Sequence, residues 1–388
     1  MLLPLFILVA TASLANAATT LWVDTTPQSL RPYALKKGRG IKLPGGNTFP
    51  VTGNSSGNAF CILNTNADGS AGGAGVFPHV HKKTYENFYT VKGRVQLWGQ
   101  NLDTYLSNSS IQQTRILGQG DIGAIPFNTI HTFSLLEPDT QLTGVLVPGG
   151  FEEFFFNRNV SPSPPIPGSG SGGGGGDETP LPGAGGFNIS DLGKWDVYPQ
   201  LDFVPRRDVV NGKAGPGNWY DGPNELPSNM AAPIWVARNR GPKWLSNQGG
   251  RYQIVTPFVT GQQTNGTFSQ GTITLRPGPV AEGGSGTTEK RMWVRSEVAT
   301  AFMMEEGQLE VAVEGYESVS LIDGDVVFVP GNTSFAYGAT AEFTKFMYVT
   351  GGGWGLDYQL MANAKPWNSA FYPQEEGSGV KRGMLLRI

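Results

Sequence analysis

At 388 residues the chain is long enough for two or three domains, each with its own core. Hydrophobic residues make up 39% and charged residues only 15%, while 55 glycines and 28 prolines predict many turns and few long helices. The formal net charge is -3 and no basic stripe is visible, which argues against nucleic acid as a partner.

The N-terminus opens with an apolar run, Met1 to Ala10, followed by Ala15-Asn16-Ala17. This pattern predicts a secretory signal peptide over residues 1–17, cleaved after Ala17, and hence a secreted, extracellular protein. The apolar run is too short to span a bilayer, so no membrane partner is expected. Cys61 is the only cysteine, which excludes an intramolecular disulfide and leaves stability to core packing. Asn-x-Ser/Thr sequons at Asn54, Asn108, Asn159, Asn188, Asn265 and Asn332 are candidate glycan sites in a secreted chain.

Residues 161–186 read SPSPPIPGSGSGGGGGDETPLPGAGG, a composition that cannot pack a core. This linker predicts an N-terminal domain over 18–160 and a C-terminal domain over 187–388. The two resemble each other. Gly120-Asp121, leading to Pro126, Asn128 and His131, parallels Gly324-Asp325, leading to Pro330, Asn332 and Phe335. Val51-Thr52-Gly53 parallels Val259-Thr260-Gly261, and Gly93 parallels Gly307. The stretch Val145–Gly150 matches Met347–Gly352 more loosely. Four matches in the same order indicate a duplication. Short β-rich runs bounded by Gly, Asn, Asp and Pro, such as Val91 to Trp98 and Gln308 to Val313, predict an all-β fold of two antiparallel barrels or jelly rolls. Asp357 to Asn363 is the one short helix expected.

All three histidines of the chain fall into one pattern. His79 and His81 flank Val80, Glu86 follows five residues later, and His131 stands in the second segment. Residues two apart on a strand share a face. Three imidazoles and a carboxylate suit a divalent transition metal with a position left open for substrate. Glu86 shares its face with Phe88, and His131 shares its face with Phe133. If those faces point into the barrel, the metal lies beside an aromatic wall that Leu63 and Leu142 extend. The plain alternative is that these four apolar residues fill an ordinary barrel core.

The strings Gly73-x5-His79-x-His81-x4-Glu86-x6-Gly93 and Gly120-x5-Pro126-x-Asn128-x2-His131 resemble the two cupin motifs, with Asn128 where cupins usually carry Gly. The duplicated architecture resembles a bicupin. More specifically, the chain resembles the secreted fungal quercetin 2,3-dioxygenases (flavonol 2,4-dioxygenases). It does so through Pro78-His79-x-His81-x3-Tyr85-Glu86-Asn87-Phe88-Tyr89, His131-Thr132-Phe133, Val147-Pro148-Gly149-Gly150-Phe151-Glu152 and Asp208-x-Val210-Asn211-Gly212. The resemblance runs from about Arg31 to the C-terminus. It implies one copper ion per chain on His79, His81, Glu86 and His131 in the N-terminal barrel; other divalent metals are known among bacterial relatives. It implies a flavonol and O2 as substrates, a depside and carbon monoxide as products, and Glu86 as the base that takes the 3-hydroxyl proton. Phe88, Phe133, Leu63 and Leu142 would hold the flat substrate, and Pro164 to Pro167 would cover the cavity mouth. The C-terminal barrel departs from the motif: Trp293 and Arg295 are expected at the His-x-His positions, Thr300 near the Glu, and Phe335 for the last His. It is expected to be structural. Two rival readings are a manganese bicupin acting on oxalate and a non-catalytic storage or binding bicupin. A homodimer is compatible with the sequence.

Overall fold

The computed structural model describes residues 19–43, 46–67, 76–156, 189–217, 219–220, 226–248, 251–277 and 293–373. The expected signal peptide, the linker with Pro164 to Pro167, Asn159 and Asn188 lie outside the described residues.

The described residues are mostly β, with a few short helices. They form four sheets, which pair off into two barrels. In the first barrel a six-stranded sheet runs in the order Tyr198–Pro199, His79–Val80, Thr129–Leu135, Val95–Asn101, Gln113–Leu117, Lys213–Ala214. It faces an eight-stranded sheet whose centre is Ile122–Ile125, Tyr85–Lys92, Gln141–Val147 and Cys61–Asn66. The second barrel repeats the plan. Its eight-stranded sheet centres on Val326–Val329, Thr300–Glu306, Thr344–Thr350 and Ser269–Leu275, and its smaller sheet on Ser334–Ala339 and Leu309–Val313. Neighbouring strands of the barrel walls pair antiparallel.

The sequence makes barrel walls because it alternates with period two. Along Tyr85–Lys92, Glu86, Phe88 and Thr90 turn to the barrel interior, while Asn87 and Tyr89 turn outward. The outward face is buried as well. Asn87 Nδ2 donates to Gln270 Oε1 of the second barrel at 2.7 Å. Tyr89, Ile62 and Val145 pack with Phe258, Phe268, Met303 and Val349 of that barrel. The two large sheets therefore seal each other, so that their central strands are buried on both faces.

The strand pairing does not follow a division at residues 160 and 187. Tyr33–Leu35 leaves the first half to pair with Val326–Phe328 of the second barrel. After the linker, Tyr198–Pro199 pairs with His79–Val80, Lys213–Ala214 with Thr114–Arg115, and Ile234–Val236 with Ile122–Ala124. Arg115, fully buried, holds the returning segment through its guanidinium, which donates to the carbonyl oxygens of Ala214, Pro216 and Gly217. The exchange is physical necessity: His79–Val80 and Ile122–Ile125 would otherwise be bare edges.

The duplication holds at atomic detail. Thr52 N donates to Ser55 Oγ, and Thr260 N to Gln263 Oε1. Ser56 Oγ and Thr264 Oγ1 each donate to the carbonyl of a phenylalanine, Phe60 and Phe268, at 2.7 Å. The loose match at the strand ends shifts by two residues, because Glu86 pairs with Leu146 and Thr300 with Thr350. Leu146 thus corresponds to Thr350, and Gly149 to Gly353.

Candidate metal centre

His79, His81, Glu86 and His131 come together, all four buried, with one ligating atom of each within 4.8 Å of the others. Each arrives by alternation. Val80, between the two histidines, turns away to pack with Trp98, Ile130 and Phe203, which aims His79 and His81 inward. Ile130 and Thr132 turn away in the same manner around His131; Thr132 Oγ1 donates to the Val76 carbonyl at 2.6 Å. His131 pairs directly with His79 across the sheet. The turn before His131 passes through Asn128 at φ 60°, whose N–H donates to the His81 carbonyl at 2.6 Å. Asn tolerates this left-handed conformation nearly as well as Gly, which accounts for its place in the motif.

The histidines are already set as ligands. Their Nδ1 atoms lie against backbone carbonyls: His79 on Phe77 at 2.9 Å, His81 on Asp196 at 2.6 Å, His131 on Thr129 at 2.9 Å. A carbonyl can only accept, so each Nδ1 donates to it, and Nε2 is left as the atom that would face a metal; without one, a protonated ring such as His81 donates from Nε2 to Glu86. Those Nε2 atoms face Glu86 Oε2 at 3.8 Å from His79, 3.1 Å from His81 and 2.9 Å from His131.

Electrostatics suits the same role. Burial, helped by the neighbouring His131, lowers His79 to about 4, so its ring is neutral at pH 7. Burial is the largest influence on His81 and would lower it, but the hydrogen bond to Glu86, the charge of Glu86 and the contact with Asp196 together raise the group. For Glu86, burial is the largest influence and would raise it. The surrounding imidazoles, His131 first and then His79 and His81, together prevail and hold the carboxyl well below its usual range. A buried anion among three imidazoles is a donor set that a divalent transition metal completes.

The four residues expected to form a substrate wall are buried in the same barrel, Phe88, Phe133 and Leu142 in one apolar cluster and Leu63 in another. The Phe88 ring lies 5.8 Å from His131 and 5.5 Å from Phe133. Leu142 packs with both phenylalanines, and Leu63 packs with Phe49, Cys61 and Leu146. Strand register arranges the inward residues in rows: Cys61, Leu146 and Glu86; then Leu63, Gly144 and Phe88; then Asn47, Thr65, Leu142 and Thr90. Gly144 leaves space in the middle row, since a Cβ there would meet nothing nearer than 3.7 Å. Asn47 Oδ1 and Thr90 Oγ1, in the last row, are buried without a hydrogen-bond partner.

Several contributors were not legible beforehand. Phe151 sits edge-on to His81 at 5.1 Å and belongs to an aromatic group with Phe154 and Phe155. Its string was part of the resemblance, but nothing in it pointed to the metal. Asp196 carried no signal at all.

The second barrel holds no such cluster among the described residues. The expected correspondence of Trp293 and Arg295 with the His-x-His pair is off by one residue. Val294 pairs with Phe335 as His79 pairs with His131, and Asn332 N donates to the Ser296 carbonyl as Asn128 N does to that of His81. Val294 and Ser296 therefore occupy the histidine positions, while Trp293 and Arg295 point out to solvent. The turn there is one residue shorter, which is why a count from the glycines misplaces it. Thr300 does take the Glu86 position, and Phe335 that of His131. The space is filled by Phe302, Phe335, Tyr337 and Phe346 packed ring to ring.

No protein-family model matches the chain. It is 39% identical over 364 residues to a quercetin 2,3-dioxygenase of Aspergillus japonicus, covering 92% of this chain and 99% of that protein. A quercetin 2,3-dioxygenase of Bacillus subtilis (strain 168) is 30% identical over 135 residues, 33% of this chain and 35% of that protein. Among solved structures, the oxalate decarboxylase of Lactobacillus farciminis in its formate complex covers 81% of this chain and 83% of its own at 12% identity, with a TM-score of 0.45. The Bacillus subtilis S161A variant of oxalate decarboxylase gives 0.44 at 15% identity, covering 81% of this chain and 74% of its own. With four candidate metal ligands gathered in one barrel of two, and identity to the Aspergillus enzyme running through nearly its whole length, the chain belongs to the quercetin 2,3-dioxygenase family.

Proposed function

We propose that the chain is a secreted, copper-dependent enzyme that opens the heterocyclic ring of flavonols such as quercetin with O2, releasing a depside and carbon monoxide. The observation that carries this reading is the convergence of three imidazole Nε2 atoms and one carboxylate beside the rings of Phe88 and Phe133. Three imidazoles favour copper over the other divalent first-row ions. Copper held by His79, His81, Glu86 and His131 supplies a Lewis acid that acidifies a hydroxyl and a one-electron acceptor for an electron-rich ring.

The protein does the rest. Glu86 receives the 3-hydroxyl proton; as a carboxylate held below its usual range it serves an acidified hydroxyl and would be too weak a base for a free one. Phe88 and Phe133 press on the flat rings and keep water away from them. Gly144 gives the rings room, and Asn47 Oδ1 and Thr90 Oγ1 can accept from hydroxyls at the far end of the substrate site. An oxalate site would need a cation beside the metal for the second carboxylate. The inward rows next to Glu86 carry Cys61, Leu146, Leu63 and Phe88 instead. Secretion rests on the N-terminal pattern, and glycosylation on the exposure of Asn54, Asn108, Asn265 and Asn332.

The copper-loaded protein incubated with quercetin in air should consume the flavonol and release carbon monoxide. Glu86→Gln should keep most of its copper and lose turnover by roughly 10²–10⁴-fold, the usual worth of a positioned base. Copper binding without carbon monoxide release would overturn the substrate assignment. Normal turnover in the variant would overturn the role of Glu86.

A further inference from the structure

Two of the three histidines find their Nδ1 acceptor two residues earlier in the chain: Phe77 for His79 and Thr129 for His131. His81 finds its acceptor on Asp196, 115 residues later in the sequence and beyond the linker. Asp196 follows the short 3₁₀ helix Ile189–Trp195 and adopts φ 61°. It does more than accept from His81. Its Oδ1 accepts the Lys82 N–H at 3.0 Å, and its Oδ2 accepts those of Lys83 and Thr84, both at 2.9 Å. One residue thus holds the imidazole and all three amides of the turn that joins His81 to Glu86. The chain then runs on beside the ligand strand, with Tyr198 opposite Val80, Pro199 opposite His79 and Gln200 N donating to the Pro78 carbonyl.

We infer that Asp196 is a positioning residue of the metal centre: its carbonyl fixes the His81 tautomer and its carboxylate fixes the spacing between His81 and Glu86. Consecutive turn amides have no ladder to satisfy them, so a carboxylate that collects three of them sets the shape of the turn. Removing it frees the His81–Glu86 spacing while leaving both side chains present. The inference rests on the metal centre of the proposed function, but not on its substrate.

The test uses the full-length protein stripped of metal and titrated with copper(II) against a competing chelator. Asp196→Gly keeps the carbonyl and the left-handed backbone and removes the carboxylate. Asp196→Asn retains an acceptor oxygen. Asp208→Asn, in an exposed ion pair with Arg206 on the same returning segment, is the control. The glycine variant should bind copper 10–100-fold more weakly. The paramagnetic resonance spectrum of its copper form should be altered, the asparagine variant should recover part of the affinity, and the control should match the unaltered protein. Wild-type affinity with an unchanged spectrum in Asp196→Gly would overturn the inference. So would a loss of affinity no greater than that of the control, or one that merely tracks a fall in melting temperature of the metal-free protein. Failure of the unaltered protein to bind copper would remove the metal centre itself, whereas copper binding without flavonol turnover would leave Asp196 standing and remove only the substrate.

Discussion

Glu86, Phe88 and Thr90 show how much a single strand conveys before any fold is known. Parity alone places ligand, ring and hydroxyl on one inward face, and the structure has them there. The four ligands were legible because so few histidines exist to choose from and their spacings suit strands. What parity cannot give is depth. Gly144 had no distinguishing mark in the sequence, yet it is the residue whose missing side chain leaves room between Leu63 and Phe88. Replacing it should therefore test the substrate site directly. Gly144→Leu should cut kcat/KM for quercetin by at least tenfold, chiefly through KM, with copper content unchanged. An unaltered KM measured by steady-state absorbance would mean that the rings lie elsewhere. Asp196 was illegible for another reason: its partners are backbone atoms, which no side-chain pattern announces.

Among the elements, the helix Leu356–Met361 carries the clearest cost. Asp357 is buried in its first turn, where Ser269 Oγ donates to it at 2.8 Å and Thr350 Oγ1 lies 2.6 Å from that hydroxyl. Burial pushes Asp357 up to about 6 from an ordinary 3.8, against the smaller opposing effect of Ser269. The folded state therefore holds this proton more tightly than the unfolded chain does. The resulting stability is full below pH 4 and is lost as pH rises through 6. The difference is roughly 3 kcal/mol at most. Asp357→Asn, which stays neutral, should raise the melting temperature relative to the unaltered protein increasingly between pH 4 and pH 7, with no gain below pH 4. A gain independent of pH would refute this account. The expected helix was correct in place and one residue late at its start. The strands were legible from their apolar runs and flanking turns, but the off-by-one placement of Trp293 and Arg295 came from a turn shortened by one residue, which spacing from glycines cannot register.

For the molecule as a whole, duplication was legible and its interlocking was not. Matching strings reveal two copies, but which strand lies beside which is decided by distant edges. Only the folded chain shows Tyr33–Leu35 crossing to one barrel and Ile234–Val236 crossing back to the other. The two barrels have also diverged in different currencies: one keeps a polar cluster in its interior, the other four packed rings. Phe335→His should accordingly leave the copper content at one per chain, because Val294, Ser296 and Thr300 offer no further nitrogen or carboxylate. It should also lower the melting temperature, since exchanging a buried phenylalanine for a smaller polar ring both opens space and strands a donor. A second equivalent of copper by metal analysis would contradict the reading.

The crossing of Ile234–Val236 and of Tyr198–Pro199 onto the first barrel bears on how the chain is made. When a ribosome has extruded residues up to the linker, all four candidate ligand side chains are outside, yet three sheet edges are still without neighbours and His81 still lacks the carbonyl that orients it. The carbonyl that orients His81 comes with Asp196, and the last strand neighbour, Ile234–Val236, about 40 residues later. The first barrel therefore has its full set of strand neighbours only after the segment beyond the linker has been made.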